Sequence, residues 1–137
     1  MVRGILVVLG AYVAMAALVM LGTVAATAAL VPGGLAAMKA ARDGANRDSV
    51  PNVAGAYLVA NLLISFAAAV LGGWLVQGHA PAPAFTWACG LAALLLVLGL
   101  GMAVKGARGG QPAWYPYLLP LVGVAGVLAG AMLRARG

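Results

Sequence analysis

Very few residues of this chain have side chains that could do acid–base, nucleophilic or metal chemistry. Its 137 residues include one cysteine, one histidine and only two acidic residues, Asp43 and Asp48. Catalysis needs titratable groups held close together, and a metal site needs several ligands in one cluster. Both acidic residues share a polar stretch with the basic Lys39, Arg42 and Arg47, a pattern typical of a solvated charge cluster. We therefore expect a non-enzymatic protein with neither a catalytic nor a metal site.

The single histidine and the single cysteine are the remaining candidates for chemistry. His79 and Cys89 lie near the same end of a predicted helical hairpin, so they could form a nucleophile–base pair, but no third group is available to orient the imidazole. A histidine at a membrane interface could instead ligate a chlorophyll-type pigment or a haem, although a lone histidine in a loop is usually only solvated. We expect no cofactor, and we keep the pigment site and the membrane-embedded enzyme as alternatives.

Polar side chains also recur within a long apolar run, residues 53–76. Tyr57, Asn61 and Ser65 are spaced four apart, so they share one face of a helix. Asn61 and Ser65 could hydrogen-bond to a neighbouring helix and stabilise a bundle by about 1 kcal/mol each. They could also line a small pore or cavity, but one Asn and one Ser suffice for that only if several copies surround an axis. The pattern favours the packing interpretation.

The composition assigns these residues to an integral membrane protein. Hydrophobic residues make up 65% of the chain and charged residues 7%, and the mean hydropathy is +1.08. Soluble domains carry roughly a quarter charged residues. Four apolar runs are each long enough to cross a bilayer. We expect an all-α, single-domain, four-helix transmembrane bundle, with helices at about 4–31, 53–76, 84–104 and 117–133 and a polar loop at 32–52.

Basic and aromatic residues lie at the ends of the apolar runs. The net charge of +6 comes from residues that would meet lipid phosphates there, so it indicates membrane lipids as partners and not nucleic acid. Aromatic residues at such ends commonly anchor a helix at the membrane interface. The expected anchors are Trp74, Trp114, Tyr115 and Tyr117.

Prolines and glycines mark the connections between the helices. The motif Pro32-Gly33-Gly34 is expected to end the first helix, because it breaks the hydrogen-bond ladder. The short connection after the second run predicts that the second and third helices are antiparallel neighbours. Pro116 and Pro120 are tolerable if they fall at or before the first turn of the fourth helix.

Small residues recur at a spacing of four on the first and last helices. This spacing lets another helix approach closely, within the bundle or from a partner. The pairs are Gly10 with Ala14, Gly22 with Ala26, and Gly126 with Gly130. With Asn61 and Ser65, they form the set of candidate helix-packing residues. Thr23 and Thr27, also four apart, can bond back to carbonyls of their own helix.

Four spans would put both termini on the same side of the membrane, but they do not decide which side. The positive-inside rule favours an external N-terminus, because five basic residues of the connecting loops then face the cytoplasm. The start of the chain, with Arg3 alone ahead of a long first helix, favours the opposite orientation. Both orientations therefore stay open.

Short motifs near the helix ends carry a resemblance to a known group. They are Arg3, Pro32-Gly33-Gly34, Gly72-Gly73-Trp74 and Pro112-Ala113-Trp114. In this layout, which covers most of the chain, the protein resembles uncharacterised bacterial four-helix integral membrane proteins. The resemblance implies the fold and a cytoplasmic N-terminus but no activity. In that group the connection after Gly-Gly-Trp tends to be basic, whereas Gln77-Gly78-His79 stands there in this chain.

Together these features predict a protein that works by packing against partners. We expect an accessory or assembly subunit within a larger complex of the bacterial inner membrane, in contact with lipids and with other integral membrane subunits or further copies of itself. The alternative is a homo-oligomeric small channel or transporter with Asn61 and Ser65 facing the pathway. No Asp or Glu lies within the apolar runs, so proton-coupled exchange of a cation at mid-membrane lacks its carboxylate.

Overall fold

The chain forms a bundle of four long helices. The computed structural model describes residues 1–30, 33–36, 39, 55–105 and 112–137. The long helices are α1 (Val2–Leu30), α2 (Gly55–His79), α3 (Ala84–Val104) and α4 (Tyr115–Arg136). They contain 29, 25, 21 and 22 residues, and each is long and apolar enough to cross a membrane. The described residues contain no strand. The predicted all-α four-helix fold is confirmed, and the chain has the character of a multi-pass membrane protein.

The first helix ends next to the glycines that the sequence marks as its stop. α1 ends at Leu30, and Gly33 and Gly34 have φ angles of 80° and 56°. Such left-handed conformations are open to glycine without steric penalty. Leu35, Ala36 and Lys39, within the predicted polar loop, are helical; the other charged residues of that loop, Arg42, Asp43, Arg47 and Asp48, lie outside the described residues.

The connection between α2 and α3 is as short as expected. It runs from Ala80 to Pro83, and the Ala82–Pro83 peptide bond is cis. α2 and α3 pack against each other in the bundle. So short a connection reverses the chain direction and makes the two helices antiparallel.

The fourth helix accommodates one of its prolines deeper than expected. Pro116 lies in the first turn, where a missing N–H is harmless, but Pro120 lies inside the helix and is buried. Pro120 therefore does not meet the condition under which the sequence analysis expected it to be tolerable. Gly99 of α3 provides the room, since a Cβ at that position would lie 2.5 Å from the Cβ of Pro120. Neighbouring helices commonly make such a proline tolerable in membrane helices.

The second helix is the centre of the bundle. α2 packs against α1, α3 and α4, and α3 packs chiefly against α4. Between Val2–Leu30 and Tyr115–Arg136, no two Cα atoms lie within 8 Å. The backbones of α1 and α4 therefore do not approach each other closely, and both helices pack on α2 and α3. The larger core cluster comprises Ala11, Met15, Ala69, Val76, Ala88, Leu91, Ala92, Val127 and Ala131.

The helix ends meet in two groups at the two ends of the bundle. Gly4 of α1 lies against the Trp87 ring near the start of α3, and Gly78 near the end of α2 lies against the guanidinium of Arg134 near the end of α4. We call this the Arg134 end. At the other end, a smaller core cluster contains Ala26, Tyr57, Leu58 and Tyr115.

Candidate functional site

A chain of hydrogen bonds joins three helices around Asn61. The amide Nδ2 of Asn61 donates to the hydroxyl of Tyr115 over 2.6 Å. The hydroxyl of Thr23 donates to Oδ1 of the same amide over 2.9 Å. We refer to Thr23, Asn61 and Tyr115 as the Asn61 network. Both polar atoms of the amide thus have partners within the chain, which suits a polar group in an apolar bundle.

The network is built on the central position of α2. Asn61 lies on α2, which packs against both α1 and α4, so its short side chain can reach Thr23 on α1 and Tyr115 on α4. Tyr115, the first residue of α4, is only 1% exposed. The Trp114 ring meets the Tyr115 ring edge-on, with 6.1 Å between centroids. The amide therefore fixes the start of α4 against the bundle.

The other polar residues of these faces point inward as well. Tyr57 and Ser65, one turn to either side of Asn61, are both buried. Thr27 Oγ1 donates to the carbonyl oxygen of Thr23 over 2.7 Å, the bond within its own helix that the spacing suggested. Thr23 itself instead bonds to another helix. Tyr57, Asn61 and Ser65 thus share a face that packs within the chain.

The glycine pair of α4 lies directly against the backbone of α2. A Cβ at position 126 would lie 2.6 Å from the Cβ of Ala69, and one at position 130 would lie 2.8 Å from the carbonyl carbon of Val70. Real Cβ atoms essentially never approach other heavy atoms under 3.0 Å. Gly73 of α2 contributes in the same way, since a Cβ there would lie 2.7 Å from the carbonyl carbon of Val127. Gly73 was not among the candidate packing residues.

The two small-residue pairs of α1 have different surroundings. Gly22 lies against the Ile64 side chain of α2, and Ala26 is buried. Gly10, in contrast, is exposed, and no atom lies within 4 Å of the position that its Cβ would occupy. Ala14 is half-buried beside it. The Gly22 pair therefore packs inside the chain, whereas Gly10 faces outward.

The expected interface aromatics divide into exposed and buried residues. Trp114 and Tyr117 are exposed at the start of α4, as anchors would be. Tyr115 between them is buried and belongs to the Asn61 network. Trp74 is 40% exposed, and the Cζ atom of Arg134 lies 3.9 Å from its ring centroid. Tyr115 therefore differs from the expected anchor, because its hydroxyl can satisfy the amide of Asn61.

The candidates for chemistry remain apart from the network. His79 is exposed at the end of α2, and its Nδ1 lies 3.0 Å from the carbonyl oxygen of Leu75. Cys89 is also exposed. Within the described residues, no group of three or more His, Cys, Asp or Glu side chains could hold a metal ion. Asp43 and Asp48 lie outside those residues.

Two shallow apolar grooves lie along α2 on the outside of the bundle, and the second is also lined by a residue of α1. The first, of about 380 Å³, is lined by Ala67, Val70, Leu71 and Trp74. The second, of about 430 Å³, is lined by Leu18, Ile64, Ala67, Ala68 and Leu71. The two grooves adjoin each other at Ala67 and Leu71, and we refer to them together as the α2 groove.

No protein-family model, curated protein or solved structure matches this chain. Function is therefore argued from the geometry of the bundle.

Proposed function

We propose that this chain is a non-enzymatic accessory or assembly subunit of a larger membrane complex. In this proposal α1 packs against a transmembrane helix of another integral membrane subunit or of a second copy. Its outward face around Gly10 makes that contact. The complex would lie in the bacterial inner membrane, with both termini on one side, since the start of α1 and the end of α4 lie at the same end of the bundle.

The interior of the bundle supports a packing role. The Asn61 network joins α1, α2 and α4 through side chains that bond to one another. Gly126 and Gly130 bring α4 against the backbone of α2. Polar groups and close glycine contacts inside the bundle thus contribute to a rigid scaffold. A partner would therefore bind to the outer surface of this scaffold.

The open position of Gly10 is the observation that carries the proposal. The glycine pairs at Gly22 and at Gly126 each have a neighbour inside the chain, whereas a Cβ at position 10 would meet nothing within 4 Å. Leu6, Val13 and Leu21 share this outward face and are 62%, 65% and 69% exposed. A glycine flanked by large apolar residues lets a partner backbone approach while its side chains pack on either side.

The limited burial of α1 within the chain also supports a partner on this helix. In its most apolar 18-residue window, 17% of residues are buried, against 22% in α3 and 28% in α2 and in α4. α1 packs mainly on α2, so most of its circumference is turned outward. A helix of a partner would cover part of that surface.

The channel alternative gains less support from the geometry. A pathway lined by Asn61 needs an amide that is available to a solute or to water. Here both polar atoms of the Asn61 side chain are bonded to Thr23 and Tyr115 of the same chain. Turning Asn61 to a shared axis would break both bonds, and Ser65 is itself buried.

The proposal is tested by comparing two outward glycines. Gly10→Leu fills the proposed contact surface, whereas Gly90→Leu fills an equally open position on α3. Each variant and the wild type are extracted from the native membrane in a mild detergent. The mass of the particle and the identity of its polypeptides are then measured.

We expect the wild type and Gly90→Leu to be recovered in one larger particle and Gly10→Leu as the single chain. Resistance of the helices to protease would show that the variant still folds. Recovery of the wild type as a single chain contradicts the proposal, as does a Gly10→Leu particle of unchanged mass and composition.

A further inference from the structure

We propose that the Arg134 end of the bundle binds an anionic phospholipid, with its phosphate on Arg134 and one acyl chain in the α2 groove. This site is separate from the surface around Gly10, and it does not depend on the subunit role proposed above. It requires only that the bundle spans a membrane.

The α2 groove provides an apolar surface for a chain of methylene groups. Its lining includes two alanines, Ala67 and Ala68, between the larger Ile64, Leu71 and Trp74. Ala67 is exposed and Ala68 is buried, and Leu18 of α1 also lines the second groove. The first groove exposes almost only apolar atoms, so an aliphatic chain that lies in it would cover almost no polar group of the protein.

At the Arg134 end of the bundle, the α2 groove is bounded by the guanidinium of Arg134 on the indole ring of Trp74. Trp74 lines the groove, and the guanidinium of Arg134 lies over its indole, 3.9 Å from Cζ to the ring centroid. Gly78, one turn further along α2, leaves room for the same guanidinium: a Cβ there would lie 2.9 Å from Cζ. Stacking uses the face of a guanidinium, so its in-plane N–H groups can still bind a phosphate in a bidentate way.

The charges around Arg134 fit an anion. Arg136 and Arg3 lie at the same end of the bundle and are exposed. The described residues contain no Asp or Glu side chain that would compete for the guanidinium. The carbonyl ends of α2 and α4 favour cations at this level. That preference explains basic residues here, but it does not explain why Arg134 lies beside a groove and over Trp74.

The length of the groove fits one leaflet of a bilayer. From Ile64 to Trp74 the helix rises about 15 Å, at about 1.5 Å per residue. Half of a hydrocarbon core of about 30 Å is the same length. A lipid whose phosphate lies at Arg134 would thus extend its chain along α2 to the middle of the membrane. This match identifies the ligand as a phospholipid of that leaflet and not a free phosphate.

The test measures lipid retention by native mass spectrometry of the purified protein. The probes are dioleoyl phosphatidylglycerol and dioleoyl phosphatidylcholine, which have the same chains and differ in headgroup charge. Arg134→Gln removes the proposed phosphate ligand, and Arg136→Gln removes an equal charge two residues further on. Ala67→Phe fills the groove, and Ala93→Phe adds the same ring to an exposed position of α3.

We expect the wild type to retain phosphatidylglycerol more strongly than phosphatidylcholine. Arg134→Gln should weaken phosphatidylglycerol binding about tenfold, the factor that corresponds to about 1.4 kcal/mol and to the loss of a charged hydrogen bond. Ala67→Phe should abolish retention of both lipids at this site, and the two control variants should behave like the wild type.

Four results would overturn the proposal. Equal retention of the two lipids by the wild type would show that the site does not select an anionic headgroup, because both lipids carry a phosphate. Equal effects of Arg134→Gln and Arg136→Gln on phosphatidylglycerol binding would mean that the lipid responds only to the overall charge of this end of the bundle. Full displacement of phosphatidylglycerol by millimolar inorganic phosphate, or no effect of Ala67→Phe, means that the groove holds no acyl chain.

Discussion

The amide nitrogen of Asn61 lies 2.6 Å from the hydroxyl oxygen of Tyr115, although the two residues are 54 positions apart. This bond ties the first residue of α4 to α2, and the Thr23 hydroxyl ties α1 to the same amide. One asparagine therefore links two helices whose backbones do not approach each other closely. Its main expected effect is on the stability of the bundle.

The first prediction concerns the coupling of Asn61 and Tyr115. Tyr115→Phe should destabilise the wild-type bundle but leave the Asn61→Ala variant unchanged, because the hydrogen bond is already missing there. The coupling energy should be about 0.6 kcal/mol, the average for hydrogen bonds between membrane helices, and at most about 1.7 kcal/mol. Unfolding in mixed detergent and sodium dodecyl sulfate measures it. Tyr117→Phe, on the exposed side of α4, is the control; additive effects of the first pair would refute the bond.

The second prediction compares two glycines of α4. Gly130→Ala should destabilise the bundle by about 1–3 kcal/mol, because its Cβ would overlap the backbone of α2 at Val70. Gly123→Ala should change stability by less than about 1 kcal/mol, because its Cβ would have only an ordinary contact, 3.7 Å from Leu95 Cδ1. The same unfolding assay serves both variants. Equal effects would mean that the close approach of α2 and α4 is absent.

The third prediction concerns the sidedness of the helix ends. In a Cys89→Ala background, a cysteine at His79 and one at Arg136 should react with a membrane-impermeant maleimide from the same side. A cysteine at Lys105, at the far end of α3, should react only from the other side. Intact cells and inverted vesicles provide the two measurements. Labelling of positions 79 and 105 from one side would exclude the four-span arrangement.

Much of the fold follows from local sequence patterns. Apolar runs of sufficient length predict the four helices, and the observed limits differ from the predicted ones by at most three residues. Gly33 and Gly34 mark the end of α1 because their positive φ angles suit glycine. Pro120 departs from the local expectation, because its position depends on Gly99 of another helix.

The polar contacts could be predicted only in part. The spacing of Tyr57, Asn61 and Ser65 indicates their shared face, but it says nothing about what that face meets. The sequence suggests that the Thr23 hydroxyl bonds to a backbone carbonyl of its own helix. In the structure it donates to Asn61, 38 residues away. Tyr115 lies between two exposed aromatic residues and resembles an anchor. Partners so distant in the chain are decided by the arrangement of helices.

The same limit applies to the small-residue pairs. Their spacing is equal in Gly10, Gly22 and Gly126, so the sequence cannot distinguish an internal contact from an outward surface. The packing of α1 and α4 on opposite flanks of α2 makes that distinction. It leaves Gly10 as the outward member, which is why the proposed partner contact is assigned to α1.

The most direct test of the subunit role is photo-crosslinking from position 10 in the native membrane. A photoreactive residue replaces Gly10 in one variant and Gly90 in another, and adducts are identified by mass spectrometry after illumination. We predict a discrete polypeptide adduct from position 10, with a partner subunit or a second copy of this chain, and only lipid adducts from position 90. Lipid adducts alone from position 10 would contradict the account.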